Sequence, residues 1–196
     1  MTPLRRDAEW FAVVAEPSSV DELQTFYEAN PGYWHLTHGR PPHPSEAAES
    51  FDFSPPPDMS YTALPVWLIR AHPSRRIIGE VSAATDLMAS GVTHLGFFIV
   101  ETARHGTGFA DEVYAAYEAW AIAQGARWLR LGVVERHLRA QRFWRRHGYA
   151  EITRRQNFVI GDVNHTLLVM VKPVAPNTLD EYLARVPRDR VSATSG

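Results

Sequence analysis

Residues 92–125 read VTHLGFFIVETARHGTGFADEVYAAYEAWAIAQG, and this stretch decides the fold of the chain. Its apolar run at 95–100 is short and rich in aromatic and β-branched residues, which is typical of a buried strand. The run HGTGFA at 105–110 is a glycine-bearing turn, and the polar–apolar cycling at 111–124 has helical spacing. The stretch therefore predicts a strand, a tight turn and a long helix that Gly125 ends.

The turn has the chemistry of an anion site. A helix start leaves backbone N–H groups without partners and carries partial positive charge, which suits phosphate oxygens. Gly106 and Gly108 let the backbone approach a ligand, but they would serve a purely structural turn equally well. Two nucleotide motifs fit badly, because Asp111 stands where the dinucleotide fingerprint needs a small residue and no Gly-x-x-x-x-Gly-Lys is present.

The run from Val100 to Ala110 resembles motif A of the GNAT family, the acyl-CoA-dependent N-acyltransferases. That motif reads Arg/Gln-x-x-Gly-x-Gly/Ala after a strand that ends in Val. Downstream, WLRLGVV at 128–134 looks like the next strand of the family, and AQRFWRRHGY at 140–149 is similar to its Ala-x-x-Leu/Phe-Tyr-x-x-x-Gly-Phe helix ending. Two motifs in this order are far more specific than one.

The predicted elements follow the order β-α-α-β-β-β-α-β-α-β-β, which is the GNAT order. The resemblance implies a mixed α/β (α+β) fold with a split, mostly antiparallel central sheet of six to seven strands, flanked by about four helices. We expect residues 1–174 to form a single acyl-CoA-binding domain. Residues 175–196 are expected to be a C-terminal tail, with a short amphipathic helix after a capping box at 178–181 and a disordered end from 188.

The resemblance also implies that acetyl-CoA binds as co-substrate in the splay between the strands that end at Val100 and Val134. Backbone groups at the end of the first strand would pair with the pantetheine arm, and N–H groups of the turn would hold the pyrophosphate. The amine would attack the thioester directly, with a backbone N–H stabilising the oxyanion. The cofactor-binding residues implied in this way are Phe98, Ile99, Val100, His105, Gly106, Thr107, Gly108, Phe109, Ala110, His137, Phe143 and Trp144.

Three residues depart from the family pattern. His105 stands where Arg or Gln is usual, and His137 stands where many members carry Asn. Trp144 replaces the Tyr that often protonates the departing thiolate, and an indole N–H donates a hydrogen bond without giving up its proton. A thiolate with a pKa of roughly 8.5 can be protonated by water. Slow acyl transfer, a purely binding module and a core role for Trp144 are therefore all open.

A general base for the amine is harder to assign. Glu80 lies inside the apolar strand IIGEV, where burial would raise its pKa, and His94 would share its face if the two strands form a hairpin. A structural role remains the alternative for each. Tyr33, Trp34 and Phe51 border the predicted acceptor pocket, in a proline-rich segment with a short helix at about 44–51.

Composition sets the remaining bounds. The chain has 196 residues, a formal net charge of −2 and no cysteine, which excludes disulfide scaffolds and thiol catalysis. Nothing indicates a nucleic-acid or membrane partner, and we expect a cytoplasmic protein. His35-x-x-His38 lacks a third ligand at metal spacing, so no metal site is predicted. The tail helix or last hairpin could supply a homodimer interface.

These observations predict an N-acetyltransferase that moves an acetyl group from acetyl-CoA to a primary amine, on a small-molecule acceptor. Two alternatives stay open. One is a non-catalytic acyl-CoA-binding or regulatory module of the same fold. The other acetylates a protein N-terminus or lysine, and it predicts an open peptide groove in place of a lidded pocket.

Overall fold

The computed structural model describes residues 9–190, and in that part of the chain one sheet of seven strands is flanked by six α-helices. The strands are β1 (Trp10–Val14), β2 (Val66–Ala71), β3 (Ile77–Ala84), β4 (Val92–Val100), β5 (Trp128–Val134), β6 (Ala150–Ile160) and β7 (Val163–Pro173). The helices are α1 (Val20–Ala29), α2 (Gly32–Thr37), α3 (Glu46–Phe51), α4 (Phe109–Ala123), α5 (Leu138–Arg146) and α6 (Leu179–Arg185). Short 3-10 helices cover Pro17–Ser19, Thr102–Arg104 and Pro187–Asp189.

The sheet order is β1-β2-β3-β4-β5-β7-β6, and every neighbouring pair is antiparallel except β4–β5. This confirms the predicted mixed α/β fold with a mostly antiparallel sheet of six to seven strands. The predicted number of helices was too low. The sequence Asn30-Pro31-Gly32 looks like a helix stop, but Pro31 with φ −70° is the residue that precedes α2.

β4 and β5 run side by side for only four residue pairs, the last of which is Leu95–Leu131. Directly afterwards Gly96 is an extra residue in β4 without a partner in β3. Such a bulge bends its strand and increases the local twist. The strands therefore diverge, and we call the opening between 96–100 of β4 and 132–134 of β5 the cleft.

Helices cover both faces of the sheet because each presents one apolar stripe to it. The predicted stripe of α4 is buried against one face, and it includes Val113 and Tyr117, both fully buried. α1 and α2 cover the other face, where Leu23 and Trp34 pack against Leu68 of β2. These faces are called the α4 face and the α1 face.

The C-terminal segment packs onto the sheet. Thr178 and Glu181 form the predicted reciprocal capping box at the start of α6. Tyr182 of α6 and Asp189 of the following 3-10 helix are completely buried. The prediction of disorder from 188 onwards is therefore wrong for 188–190, because Asp189 has buried partners that no local pattern reveals. Its remaining part, 191–196, lies outside the described residues.

Candidate active site

The edge of β4 that faces the cleft carries backbone groups that no strand uses. The N–H of Glu101 donates to the carbonyl of Ile78 at 2.9 Å, so by alternation Ile99 also directs its peptide groups towards β3. Phe98 and Val100 then direct theirs into the cleft. Phe98 and Val100 thus fit the predicted main-chain pairing with an extended ligand, whereas Ile99 does not, because its peptide groups face β3.

The narrow end of the cleft has a glycine on each wall. Gly96 and Gly132 are the first residues past the last β4–β5 pair, and both are exposed. An extended ligand can therefore approach the backbone of either strand there. Sequence analysis missed both glycines. The available signal was a glycine inside an otherwise apolar strand.

The wide end of the cleft meets the turn at the start of α4. Gly106 and Gly108 have φ values of +80° and +92°, which is the left-handed region that favours glycine. Within residues 9–190, the N–H groups of Gly106, Gly108 and Ala110 donate no hydrogen bond. Thr107 donates its hydroxyl proton to the carbonyl of Arg104 at 2.8 Å and so closes the turn. Free N–H groups at the start of a 15-residue helix make an anion site.

His105 does not point freely at that site. Its Nε2 lies 3.2 Å from the carbonyl oxygen of Val100, and its Nδ1 lies 2.9 Å from Nη1 of Arg139 on α5. Burial, followed by the charge of Arg139, lowers the pKa of His105. Burial and the same arginine also lower the pKa of His137, which directly precedes α5. Both imidazoles are therefore neutral near pH 7.

Phe143 and Trp144 line the cleft only indirectly. Their rings lie 5.9 Å and 5.5 Å from the ring of Phe98, between centroids. Trp144 is 7% exposed and packs on Tyr114 and Tyr149 of the core under the α4 face. Trp144 is thus mainly a core aromatic residue that supports the cleft wall through Phe98.

Glu80 is buried on the α1 face, one strand away from the cleft. It is 2% exposed and lies opposite Ile99 of β4. The hydroxyl of Tyr27 donates to its Oε2 at 2.5 Å, and the same hydroxyl lies 3.4 Å from Oγ of Ser50. Burial raises the pKa of Glu80 to about 7, although the bond from Tyr27 works against the rise. A chain of three polar groups thus connects the Glu80 carboxyl, whose pKa is close to neutral pH, with the half-buried Ser50.

His94 has a different environment from Glu80. Its Nδ1 accepts from Nη1 of Arg130 at 3.1 Å, and Arg130 is paired with the buried Asp189. Burial and the charge of Arg130 lower the pKa of His94 to about 3. His94 and Glu80 share the α1 face as expected. However, His94 pairs with Ala84 of β3, which is four positions after Glu80, or roughly 13 Å along the strand. This geometry argues against His94 as a base, because its lone pair at Nδ1 is occupied and its basicity is low.

The predicted pocket residues cluster on the α1 face beside β4. The rings of Tyr33 and Phe97 are 5.0 Å apart, and Tyr33 is half-buried. Trp34 is only 2% exposed and packs 4.4 Å from Tyr27, so it supports the pocket from the core and does not line it. Phe51 is partly buried against the same cluster. Sequence analysis missed Phe97, since an aromatic residue in a strand predicts only core packing.

The β6–β7 hairpin folds over the end of α2. Nε2 of His165 lies 2.6 Å from the carbonyl of Thr37, and the N–H of Asp162 donates to the carbonyl of His38 at 3.1 Å. Beside this contact a cavity of about 270 Å³ has a polar lining made of Gln156, Asn157, Asn164, His165 and Thr166. The hairpin tip and α2 thus close part of the α1 face.

Residues 9–190 contain neither a cluster of metal-ligating side chains nor a helix that could cross a membrane. No group of three or more His, Asp or Glu side chains is arranged to hold a metal ion there. None of the helices in that range is sufficiently long and apolar to cross a membrane.

Comparison with known proteins adds a family and a fold. Residues 23–149, more than half of the chain, match the sequence model of the acetyltransferase (GNAT) family. No curated protein is significantly similar to the chain in sequence.

Solved structures resemble the whole fold. An acetyltransferase from Thermus thermophilus is 16% identical over 84% of this chain and 97% of its own, with a TM-score of 0.65. Spermidine N-acetyltransferase from Vibrio cholerae, in complex with CoA and spermine, is 12% identical over 85% and 96%, with a TM-score of 0.64. Ribosomal-protein-S5-alanine acetyltransferase from Vibrio fischeri is 10% identical over 90% and 98%, with a TM-score of 0.69. At these identities the likeness concerns the fold alone.

Proposed function

Because this chain belongs to the GNAT acetyltransferase family, we propose that it transfers an acetyl group from acetyl-CoA to a primary amine of a small molecule. The cleft carries this proposal. Its narrow end exposes the backbone of two diverging strands, and its wide end presents unpartnered N–H groups at the start of α4. An extended amide-bearing arm with a diphosphate at one end matches both features.

The residues present fit acetyl-CoA. Main-chain groups of Phe98 and Val100 would pair with its pantetheine arm, and the N–H groups of Gly106, Gly108 and Ala110 would hold its diphosphate. When bound, acetyl-CoA supplies a thioester carbonyl that an amine can attack. An N–H of β4 directed into the cleft is placed to donate to the oxygen that gains charge during that attack.

Glu80 is the proposed base. An acceptor amine arrives protonated, and it must lose one proton before its lone pair can attack the carbonyl. Since Glu80 is 2% exposed, the proton has to travel through intermediate groups. Tyr27 passes its own proton to Glu80 and is reprotonated by Ser50, whose hydroxyl must first turn from the carbonyl of Ala47 to Tyr27. A carboxyl with a pKa of about 7 is half ionised at neutral pH, which suits a general base.

The closed α1 face favours a small acceptor over a protein. The hairpin tip contacts α2 through His165 and Thr37, and this contact on the side of the sheet that carries Tyr33 and Phe97 argues against an open peptide groove there. One structural neighbour is named for spermidine and another for a ribosomal-protein alanine, so the neighbours point to both acceptor classes. A small amine with an apolar body agrees with the aromatic rings of this pocket.

Trp144 supports a second candidate, a module that binds acyl-CoA without catalysis. An indole cannot protonate the leaving thiolate, and Trp144 is packed as a core residue. This candidate shares the cofactor site and differs only in turnover. Binding and catalysis must therefore be measured separately.

Calorimetric titration with acetyl-CoA, with NADH and ATP as controls, tests the proposal. We expect micromolar binding of acetyl-CoA that is lost in Gly108→Trp, because an indole there would fill the anion site and strain a residue with φ +92°. Absence of binding in the wild-type protein would refute the proposal. A panel of small amines and N-terminal peptides, followed by release of free CoA thiol, then separates the acceptors. Binding without thiol release from any of them would favour the non-catalytic module.

A further inference from the structure

Two hydrogen bonds join the opposite walls of the cleft at its wide end. Arg139 stands in the first turn of α5, beyond β5, and its Nη1 is 2.9 Å from Nδ1 of His105, which follows β4. Nε2 of the same imidazole is 3.2 Å from the carbonyl oxygen of Val100. The chain Arg139–His105–Val100 therefore spans the route into the cleft.

The direction of both bonds follows from the chemistry of the groups. A guanidinium only donates, so Nδ1 of His105 has to accept. The ring proton is then on Nε2, and it is donated to the carbonyl of Val100. By strand alternation that carbonyl points into the cleft, where it is a natural acceptor for an amide N–H of an extended ligand. His105 thus occupies an acceptor that a pantetheine arm would use.

Arg139 is poorly paired for a guanidinium. It is exposed, and His105 is its one hydrogen-bond partner within the described part of the chain. A neutral imidazole is a weaker partner for Arg than a phosphate, which can accept two parallel N–H bonds. The free N–H groups of Gly106 and Gly108 adjoin His105 on the other wall, so a diphosphate held by them would come close to Arg139.

We propose that Arg139 and His105 form a latch that responds to the diphosphate of the acyl donor. When a diphosphate is bound, Arg139 donates its hydrogen bonds to it and no longer to His105. His105 then lacks the partner that fixes the orientation of its ring. The imidazole then rotates and breaks its hydrogen bond to the carbonyl of Val100, which becomes free to accept from an amide of the pantetheine arm. The latch rests on the proposed function, and it makes the two halves of the cofactor site cooperate.

The test compares acetyl-CoA with S-acetylpantetheine, which has the same arm but lacks the diphosphate and the 3′-phosphoadenosine attached to it. Affinities are measured by calorimetry, with the weaker ligand in competition against acetyl-CoA, for Arg139→Ala, His105→Ala and the control Arg142→Ala. Arg142 is exposed on the same helix and has the same charge. Thermal unfolding of each variant verifies that it is folded.

The latch predicts that Arg139→Ala lowers the affinity for acetyl-CoA and that His105→Ala raises the affinity for S-acetylpantetheine. Arg139→Ala should weaken acetyl-CoA about 10–100-fold and leave S-acetylpantetheine unchanged or tighter, because only the first ligand carries the charge that Arg139 binds. His105→Ala should tighten S-acetylpantetheine about 5-fold, because the carbonyl of Val100 becomes free. Arg142→Ala should change either affinity less than 2-fold, which is about 0.4 kcal/mol.

Nitrogen NMR of the His105 ring gives a readout independent of affinity. The proton should be on Nε2 in the free protein, and addition of acetyl-CoA, but not of S-acetylpantetheine, should shift both ring nitrogens. Equal losses for both ligands in Arg139→Ala, a weaker S-acetylpantetheine complex in His105→Ala, or a proton on Nδ1 would overturn the latch. Wild-type binding of acetyl-CoA together with release of CoA thiol would still uphold the proposed function. No binding of acetyl-CoA by the wild-type protein would overturn both.

Discussion

Asp189→Asn is expected to lower the free energy of unfolding by about 3–5 kcal/mol, which is the usual cost of breaking a buried ion pair from one side. Asp189 is completely buried and accepts from Nε and Nη2 of Arg130 at 2.8 and 3.2 Å. It also accepts from the hydroxyl of Tyr182 at 2.6 Å and from Nη2 of Arg155 at 2.6 Å. An amide carries no charge and accepts at one atom only. Arg130, 8% exposed, would be left without compensation.

The expected change in melting temperature follows from chain length. For proteins of about 150–250 residues, 1 kcal/mol corresponds to about 2–4 °C, so the loss should be roughly 6–20 °C. Asp58→Asn is the matched control, because Asp58 pairs with Arg188 of the same C-terminal segment at 2.8 Å but both side chains are well exposed. Removing an exposed pair should cost less than about 1 kcal/mol.

The pH dependence of the unfolding free energy shows whether the charge of Asp189 is the cause of the loss. Burial alone would raise the pKa of Asp189, but the hydrogen bonds and charge of Arg130, with Tyr182 and Arg155, lower it to about 2. A carboxyl whose pKa is lower in the folded state stabilises the protein above its unfolded pKa, and this stabilisation is lost as the pH falls from roughly 4 to 2. The difference in unfolding free energy between the wild-type protein and Asp189→Asn should therefore narrow in acid, by roughly 2–3 kcal/mol. Urea unfolding followed by circular dichroism from pH 7 down to about 2.5 covers most of this window. A loss no larger than that of Asp58→Asn, or a difference independent of pH, would refute the reasoning.

Three further outcomes are expected at the cleft. Glu80→Gln should lower the rate of acetyl transfer about 10²–10⁴-fold. It should also remove the rise in rate through pH 7, because burial raises the pKa of Glu80 to about 7 and only the ionised carboxyl accepts a proton. The pH–rate profiles of both proteins measure this, and an unchanged profile would exclude Glu80 as the base. Trp144→Tyr should leave kcat unchanged, because residue 144 packs in the core behind Phe98 and a hydroxyl there would not reach a thiolate in the cleft. A higher kcat at constant affinity for acetyl-CoA would show that position 144 does reach the departing sulfur. Gly106→Ala should lower the free energy of unfolding by about 1–2 kcal/mol. The cause is the φ of +80° and not a clash, since an added Cβ would meet nothing within 4 Å. Chemical denaturation measures the free energy of unfolding, and no measurable loss would contradict the backbone argument.

The sequence by itself predicted the elements whose signals are local. The strand, turn and helix at 92–125 and the strand at 128–134 lie where the apolar runs and the glycine turn place them. The capping box that starts at Thr178 forms as its motif predicts. The one helix it missed, α2, follows Pro31, because the proline signal for a helix stop is the same as that for a helix start. Family membership followed from two such local motifs.

Only the tertiary structure decided which polar groups meet. Glu80 meets Tyr27 across 53 residues of chain, Arg139 meets His105 across 34, and Asp189 meets Arg130 across 59. Hydrophobic periodicity predicts that a residue is buried, but it carries no information about the atom that a buried polar group faces. That choice depends on register, on the bulge at Gly96 and on the path of the C-terminal segment. The chain pattern therefore predicted the fold and the glycine turn that we propose for the cofactor, and the packing of distant segments decided the contacts of the proposed base, the proposed latch and the buried ion pair.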